Sequence, residues 1–231
     1  MLLLEKNLDG TTLFDDFISN DAVTDNAIGQ LGWQFTTIGN AATLAYQTAH
    51  PNGVLRVTTA ATADGDGTAI HLFPDGIILK PHTGFVARVR YPVELASLNF
   101  RIGFDDSVTA TRPTVGITLE SDAGVLSCHT DSEHGDESVA VAGVPSLTAG
   151  TTMVVGQWMT VAMFASGRPN AQGGPDEVNF FIDGVHAATV PCNIDDDEEV
   201  EPKFAVWQDA GSADAVAIEV DYIGLYLPRY N

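Results

Sequence analysis

The chain has 231 residues and a formal net charge of −21, from 31 acidic and 10 basic side chains. A surface of this sign repels phosphate backbones and anionic lipid headgroups, so the composition argues against nucleic acid and membranes as partners. The length fits a single all-β domain, and 45% hydrophobic residues provide a core that needs neither a metal nor a disulfide framework.

Short runs in which apolar and polar residues alternate predict strands along the whole chain. The predicted strands lie near residues 12–14, 32–35, 42–47, 53–59, 68–73, 84–91, 98–104, 114–119, 125–130, 138–144, 157–164, 178–182, 185–190, 203–207 and 217–227. Over 84–91 the apolar side chains are predicted to face the core, with Arg88 and Arg90 on the other side. Asp183 and Gly184 form a turn dipeptide typical of a hairpin.

These strands and the lack of a long helical pattern predict an all-β, antiparallel two-sheet jelly-roll sandwich. The sandwich is predicted to span 12–227, with an N-terminal arm over 1–11 and a C-terminal tail over 228–231. Cys128 and Cys192 are too few for a disulfide framework and are predicted to be buried thiols, although they would be able to pair on neighbouring strands.

Several stretches are similar to one family of sandwiches. Residues 158–164 and 178–185 resemble the W-x-x-V-x-V strand and the v-x-f-y-v-D-G hairpin of laminin-G and concanavalin-A-like domains. Residues 218–226 resemble the final strand of these domains, and 14–17 their entry strand. The resemblance covers nearly the whole chain and implies a concanavalin-A-like jelly roll whose last strand returns beside the first. A fold of this kind hosts many functions.

Catalysis finds little support in the sequence. Glycoside hydrolases of this fold use an E-x-D-x-x-E strand that carries a nucleophile and an acid/base. The nearest match begins at Glu219, but Gly224 stands where the acid/base is required. There is also no G-x-S-x-G nucleophile elbow. The chain is therefore predicted not to be an enzyme, and a degenerate glycoside hydrolase ranks last among its functions.

Metal and glycan sites rest on individual residues. The loops over 129–137 and 193–201 are rich in ligand-type side chains but are predicted to be solvated acidic loops. In lectin-like relatives a structural calcium ion joins the entry and final strands, and the resemblance implies Asp16 and Asp221 as its ligands here. Glycan binding by this fold uses exposed aromatic side chains on the concave sheet or loops. Trp33, Trp207 and Tyr222 are the candidates, although burial in the core is the favoured interpretation for most of them.

Two functions of different classes follow from the resemblance. The first is a non-catalytic bacteriophage virion protein, a capsid decoration or cement protein bound to the major capsid protein or to copies of itself. The start Met1–Leu4 is too short for a signal-peptide core, which fits synthesis in the host cytoplasm and location in the virion. The same four residues are predicted to pack against a neighbouring subunit. The alternative is a lectin-like module of a virion or cell-surface adhesin that binds host surface glycans.

Overall fold

A computed structural model describes residues 10–18, 28–40, 42–47, 53–59, 65–72, 76–92, 98–107, 109–208 and 217–229. Within these ranges the chain forms strands and no helix. The strands are β1 (Gly10–Asp15), β2 (Gln34–Ile38), β3 (Thr43–Tyr46), β4 (Leu55–Thr58), β5 (Gly67–His71), β6 (Ile77–Ile78), β7 (Gly84–Arg90), β8 (Leu98–Asp105), β9 (Gly116–Asp122), β10 (Val125–Asp131), β11 (Glu137–Ala140), β12 (Met159–Ala165), β13 (Glu177–Ile182), β14 (Val185–Pro191), β15 (Glu199–Gln208) and β16 (Ala217–Pro228).

The strands form two antiparallel sheets that pack face to face. Sheet I has the order β14-β13-β12-β7-β16-β4-β3, and β1 also pairs with β16. Sheet II has the order β11-β10-β9-β8-β15-β5-β2, and β6 also pairs with β15. This is the two-sheet jelly-roll sandwich that the sequence predicts. None of the described segments is a helix able to cross a membrane.

The last strand of the chain, β16, lies in the interior of sheet I. β7 lies along one side of it, whereas β4 and β1 share the other side end to end. Asp15 of β1 is the register partner of Ile223. The entry strand thus lies beside the final strand, as the resemblance implies.

Alternation along the strands builds the core between the sheets. On β7, Phe85 and Val89 are buried, and Arg88 and Arg90 point to the outer face, as predicted. At the β13–β14 turn, Asp183 and Gly184 have φ values of 50° and 78°. Positive φ at both positions is the geometry of the type I′ hairpin turn that the dipeptide predicts.

The predicted element boundaries need some correction. Gly10 and Thr11, assigned to the arm, belong to β1, and Pro228, assigned to the tail, is the last residue of β16. The short strand β6 had no counterpart in the sequence analysis. The predicted subunit contact of Met1–Leu4 and the end of the tail at 230–231 lie outside the described residues.

Both cysteines are free thiols in the core, which confirms the sequence prediction. Burial raises the pKa of the Cys128 thiol to about 12 and that of Cys192 to about 11. A thiol with so high a pKa carries almost no thiolate at neutral pH and is therefore inert as a nucleophile.

Candidate functional site

The outer face of sheet II carries an unusual set of ionisable side chains. Along β8, Phe100 and Ile102 point into the core, which places Arg101 and Asp105 on the opposite face. The same alternation on the neighbouring strands produces what we call the polar face. It consists of His71, Arg101, Asp105, Glu120, His129, Asp131, Glu201 and Lys203. All of these except Glu120 are buried.

A loop explains why charged groups on an outer face are buried. Residues 106–107 and 109–115, between β8 and β9, are held on the sheet by side chains of the polar face. Lys203 Nζ donates to the carbonyl oxygen of Ser107 at 2.5 Å, and Arg101 NH1 donates to that of Thr111 at 3.0 Å. Ala110 packs against the small apolar cluster of Ile38, Ala69 and Ala205 on the same face. The loop therefore covers part of the sheet from solvent.

The first charge network runs from Arg101 to Ser127. Arg101 Nε donates to Glu120 Oε1 at 2.7 Å, and Glu120 Oε2 lies 3.7 Å from His129 Nε2. The Arg112 guanidinium, which only donates, lies 2.8 Å from His129 Nδ1, so that nitrogen accepts. His129 Nε2 then carries the proton and donates to Ser127 Oγ at 2.6 Å. Burial, with help from the Arg112 charge, lowers the pKa of His129 and keeps the ring neutral.

Arg112 also binds the buried carboxylate of Asp131. Its Nε donates to Asp131 Oδ1 at 2.5 Å. Burial nevertheless raises the pKa of Asp131 to about 6, because the guanidinium offsets the loss of solvent only in part. Arg112 is exposed on the covering loop, so one side chain ties the loop to both Asp131 and His129.

The second network is centred on Lys203, which is 1% exposed. Its ammonium group lies 2.5 Å from Asp105 Oδ1 and 2.8 Å from Glu201 Oε1. Burial raises the pKa of Asp105 despite the ammonium group. Burial acts in the same direction on Glu201, but hydrogen bonds from His71 and Lys203 outweigh it and hold the pKa of Glu201 below its usual value. The other Glu201 oxygen, Oε2, lies 2.8 Å from His71 Nδ1.

Part of the hydrogen-bonding capacity of this face is unused. Asp105 Oδ2, Thr118 Oγ1 and Asp131 Oδ2 are buried and make no hydrogen bond within the described structure. Buried polar atoms are nearly always satisfied by protein, water or ligand. These three acceptors are buried, so the polar-face residue that a ligand reaches from solvent is the partly exposed Glu120.

An aromatic side chain borders the polar face. Trp207 on β15 is half-buried and lies on the same face as Arg101, whose guanidinium carbon is 5.3 Å from the ring centroid. The cation holds the indole in a fixed orientation. Glu120 and Ser127 are also partly exposed and lie on the adjoining strands β9 and β10. An apolar ring next to oriented polar groups is suited to binding a ligand with both kinds of surface.

The structure separates the three predicted glycan-binding aromatics. Trp33 is fully buried in the core, and its Nε1 donates to Asp15 Oδ2 at 3.1 Å, so its prediction as a glycan contact is wrong. Tyr222 lies half-buried on sheet I, with its ring centroid 5.5 Å from that of the exposed Phe14. Trp207 alone lies on the polar-face side. The three side chains do not form one site.

The predicted calcium ligands have other partners. Asp16 Oδ1 accepts a hydrogen bond from Gln30 Nε2 at 2.8 Å, and Asp221 Oδ2 accepts one from Arg88 NH1 at 2.7 Å. No group of three or more His, Cys, Asp or Glu side chains able to hold a metal occurs in the described part of the chain. Because a guanidinium already neutralises Asp221, this donor set does not fit a calcium ion, and the site stays a sequence prediction.

Sequence reasoning missed most of the polar face. His129 and Asp131 were assigned to a solvated acidic loop, and Glu201 to another. In the structure they are strand residues buried against cationic partners, so those assignments were wrong. The available signal was the period of two in β10 and β15, which places ionisable residues at every second position.

A separate groove of about 350 Å³ shares no residue with the polar face. It is lined by Lys80, Pro81, His82, Gly167, Pro169, Gly173 and Asp196. Its lining includes one ion pair, between Lys80 and Asp196 at 3.7 Å. It therefore lacks the linked hydrogen-bonding groups that distinguish the polar face.

Comparisons with known proteins bear on the fold. The sequence matches no protein-family model and no curated protein. The structure is similar to that of a protein of unknown function from Shewanella oneidensis MR-1, with a TM-score of 0.62 and 11% identity over 96% of this chain and 90% of that one. It is also similar to an endo-β-1,4-glucuronan lyase from the fungus Trichoderma reesei, with a TM-score of 0.60 and 12% identity over 92% and 94% of the two chains.

A carbohydrate recognition domain is a further structural neighbour. The domain of Emp47p superposes with a TM-score of 0.59 and 12% identity, over 96% of this chain and 98% of that one. At these identities the likeness concerns the fold alone. The chain has the concanavalin-A-like jelly-roll sandwich fold, which lectin and lyase domains also adopt.

Proposed function

We propose that this protein is a carbohydrate-binding domain whose binding surface is the polar face of sheet II with Trp207 at its border. One observation carries the proposal: a half-buried indole lies against the Arg101 guanidinium, which in turn holds the partly exposed Glu120 carboxylate. Sugars present apolar C–H faces and rings of hydroxyl groups, which such a surface matches. The fold is shared with a carbohydrate recognition domain and a polysaccharide lyase, which supports the choice of ligand class.

The partly exposed groups define the contacts of the bound sugar. The Trp207 ring packs against a sugar face, and Glu120 Oε2 accepts hydrogen bonds from sugar hydroxyls. Arg101 binds the other oxygen of Glu120 and so holds the carboxylate in place. Since the chain carries a net charge of −21, we expect neutral glycans to bind better than polyanionic ones.

Replacing Trp207 by alanine is expected to weaken glycan binding about tenfold or more, because buried aromatic anchors contribute most of the energy of such contacts. A glycan array with the wild-type protein identifies a ligand, and calorimetry then gives the dissociation constants. Glu120→Gln is the second variant, because it keeps the size of the side chain and removes the charge.

Tyr222→Ala is the matched control for this experiment, since it removes a half-buried aromatic ring from the other sheet. It is expected to leave binding unchanged, and a thermal melt verifies that each variant is folded. If the wild type binds no glycan, or if Tyr222→Ala abolishes binding while Trp207→Ala does not, the proposal is wrong.

A second candidate function is the capsid decoration role, with or without glycan binding. The observation that favours it is an exposed apolar surface near β1. Phe14 is 52% exposed and Ile18 is 50% exposed, and both follow shortly after the predicted N-terminal arm. The Phe14 ring lies 5.5 Å from that of the half-buried Tyr222, and apolar surface shared by neighbouring side chains is a feature of protein interfaces.

The decoration role predicts that purified virions from the native source contain many copies of this protein in symmetric positions. Mass spectrometry counts the copies, and electron microscopy locates them. The substitution Phe14→Ser is expected to reduce binding to capsids about tenfold because it removes an apolar anchor, whereas Val185→Ser, at an exposed valine on β14, leaves it unchanged. A protein absent from every particle would rule this role out.

A further inference from the structure

Three side chains at the edge of sheet II form an arrangement that no sequence motif indicated. Thr36 Oγ1 on β2 lies 3.1 Å from His71 Nε2, and His71 Nδ1 lies 2.8 Å from Glu201 Oε2. The three residues lie on adjacent strands, because β5 pairs with β2 on one side and β15 on the other. Hydroxyl, imidazole and carboxylate are therefore linked in that order.

The hydrogen bonds define the protonation of the ring. Hydrogen bonds from His71 and Lys203 hold the pKa of Glu201 below its usual value against the effect of burial, so its carboxylate is ionised at neutral pH and accepts. His71 Nδ1 then carries the proton, which leaves Nε2 as the acceptor for the Thr36 hydroxyl. This is the relation between nucleophile, base and orienting carboxylate in hydroxyl-based acyl transfer.

The surroundings allow a small acyl group to approach. Thr36 on the edge strand β2 is half-buried, whereas His71 is 6% exposed. Ala69 is the cross-strand partner of Thr36, and with Ile38 and Ala205 it forms an apolar cluster next to the hydroxyl. Because Ala110 and Trp207 already pack against this cluster, the space beside the hydroxyl suits an acetyl group better than a long or charged acyl chain.

We propose that Thr36 is an acyl-transfer nucleophile, with His71 as its general base and Glu201 as the residue that positions the ring. Thr36 Oγ1 forms a bond to the carbonyl carbon of a short-chain ester while its proton passes to His71 Nε2. The ester C–O bond breaks, and the leaving oxygen takes the electron pair and the proton. Water then attacks the acyl-threonine, His71 accepts its proton, and the proton returns to Thr36 as the acid is released.

The natural substrate class is an O-acylated glycan, an assignment that rests on the proposed function. An activated aryl ester tests the acyl-transfer chemistry independently of glycan binding, since p-nitrophenyl acetate needs no sugar contact and has a good leaving group. We expect the wild-type protein to release p-nitrophenolate and to carry one acetyl group on Thr36, identified by mass spectrometry after an acid quench.

The variants separate this chemistry from surface reactivity. Thr36→Val keeps the shape of the side chain but removes the hydroxyl, and it is expected to lower the rate of p-nitrophenolate release at least about tenfold. His71→Gln is expected to lower this rate by a similar factor, whereas Thr36→Ser is expected to keep the wild-type rate. Thr37→Val is the matched control, because Thr37 is the exposed neighbour on the same strand. Glu201→Gln is expected to lower kcat with KM unchanged, which a loss of ester binding would not produce.

Acetylation spread over Thr37 and lysines, or a rate that Thr36→Val leaves unchanged, would overturn the proposal. If the protein does not cleave the aryl ester, glycan binding measured on the array still supports the proposed function. If the array shows no ligand, ester cleavage still supports the acyl-transfer proposal. The two proposals can therefore fail independently.

Discussion

Replacing Lys203 by methionine is expected to lower the free energy of unfolding by about 3–5 kcal/mol, as for the loss of one partner from a buried ion pair. The ammonium group is 1% exposed and lies 2.5 Å from Asp105 and 2.8 Å from Glu201. Without it, two buried carboxylates lose their countercharge. Urea denaturation measures the change.

Lys80→Met is the matched control, because it makes the same substitution at a surface ion pair. Lys80 lies 3.7 Å from Asp196, and their side chains are 26% and 55% exposed. The expected loss there is about 1 kcal/mol or less. The loss of unfolding free energy caused by Lys203→Met should become smaller at acidic pH, where Asp105 and Glu201 are protonated. Equal losses for the two lysine variants would show that the Lys203 network contributes no more than a surface pair.

Replacing Glu219 by glutamine is expected to lower the free energy of unfolding by about 1.5–3 kcal/mol, the range for hydrogen bonds to a charged group. Glu219 on β16 is fully buried between arginines of the two adjacent strands. Arg56 Nε donates to its Oε1 at 2.9 Å, and Arg90 Nε donates to its Oε2 at 2.5 Å. The substitution removes the charge that holds β4, β16 and β7 together on this face.

The Glu219 contribution has a defined pH dependence. Burial acts to raise the pKa of Glu219, but hydrogen bonds from Arg56 and Arg90 outweigh it, so the pKa lies below its usual value of 4.5. The stabilisation is therefore present above pH 4.5, the unfolded value, and is lost as the pH falls through the lower folded value. The difference in the free energy of unfolding between the wild type and Glu219→Gln should therefore become smaller in acid.

Asp221→Asn is the control for Glu219 on the same strand. Asp221 has one arginine partner, Arg88, whose side chain is 39% exposed, and it is expected to contribute less than about 1 kcal/mol. If the two variants are equally stable from pH 3 to 7 by urea denaturation, the buried clamp at Glu219 is not a significant source of stability.

The positions of the strands followed from local sequence patterns. Alternation in β7 distinguished Phe85 from Arg88, because successive side chains of a strand point to opposite faces of the sheet. The Asp183-Gly184 dipeptide predicted its hairpin, since both residues accept positive φ. These are properties of neighbouring residues and need no knowledge of the rest of the chain.

The candidate site depended on contacts between distant residues. Arg101 lies on an outer face, but it is buried because residues 106–107 and 109–115 cover that face, which strand alternation does not describe. Trp33 was a candidate glycan contact, but it lies in the core, where its indole N–H donates a hydrogen bond to Asp15, 18 residues earlier in the chain. Glu201 ends an acidic run of the kind that is usually exposed to solvent, yet it is buried in the structure.

The sequence by itself determined the fold class, the strand order along the chain and the side of each strand that is apolar. Only the tertiary structure decided which polar residues meet. Thr36, His71 and Glu201 are separated by 35 and 130 residues along the chain, yet they form consecutive hydrogen bonds. The physical reason is that sheet register and loop placement arise from the packing of the whole core, whereas local patterns encode only the direction in which each side chain points.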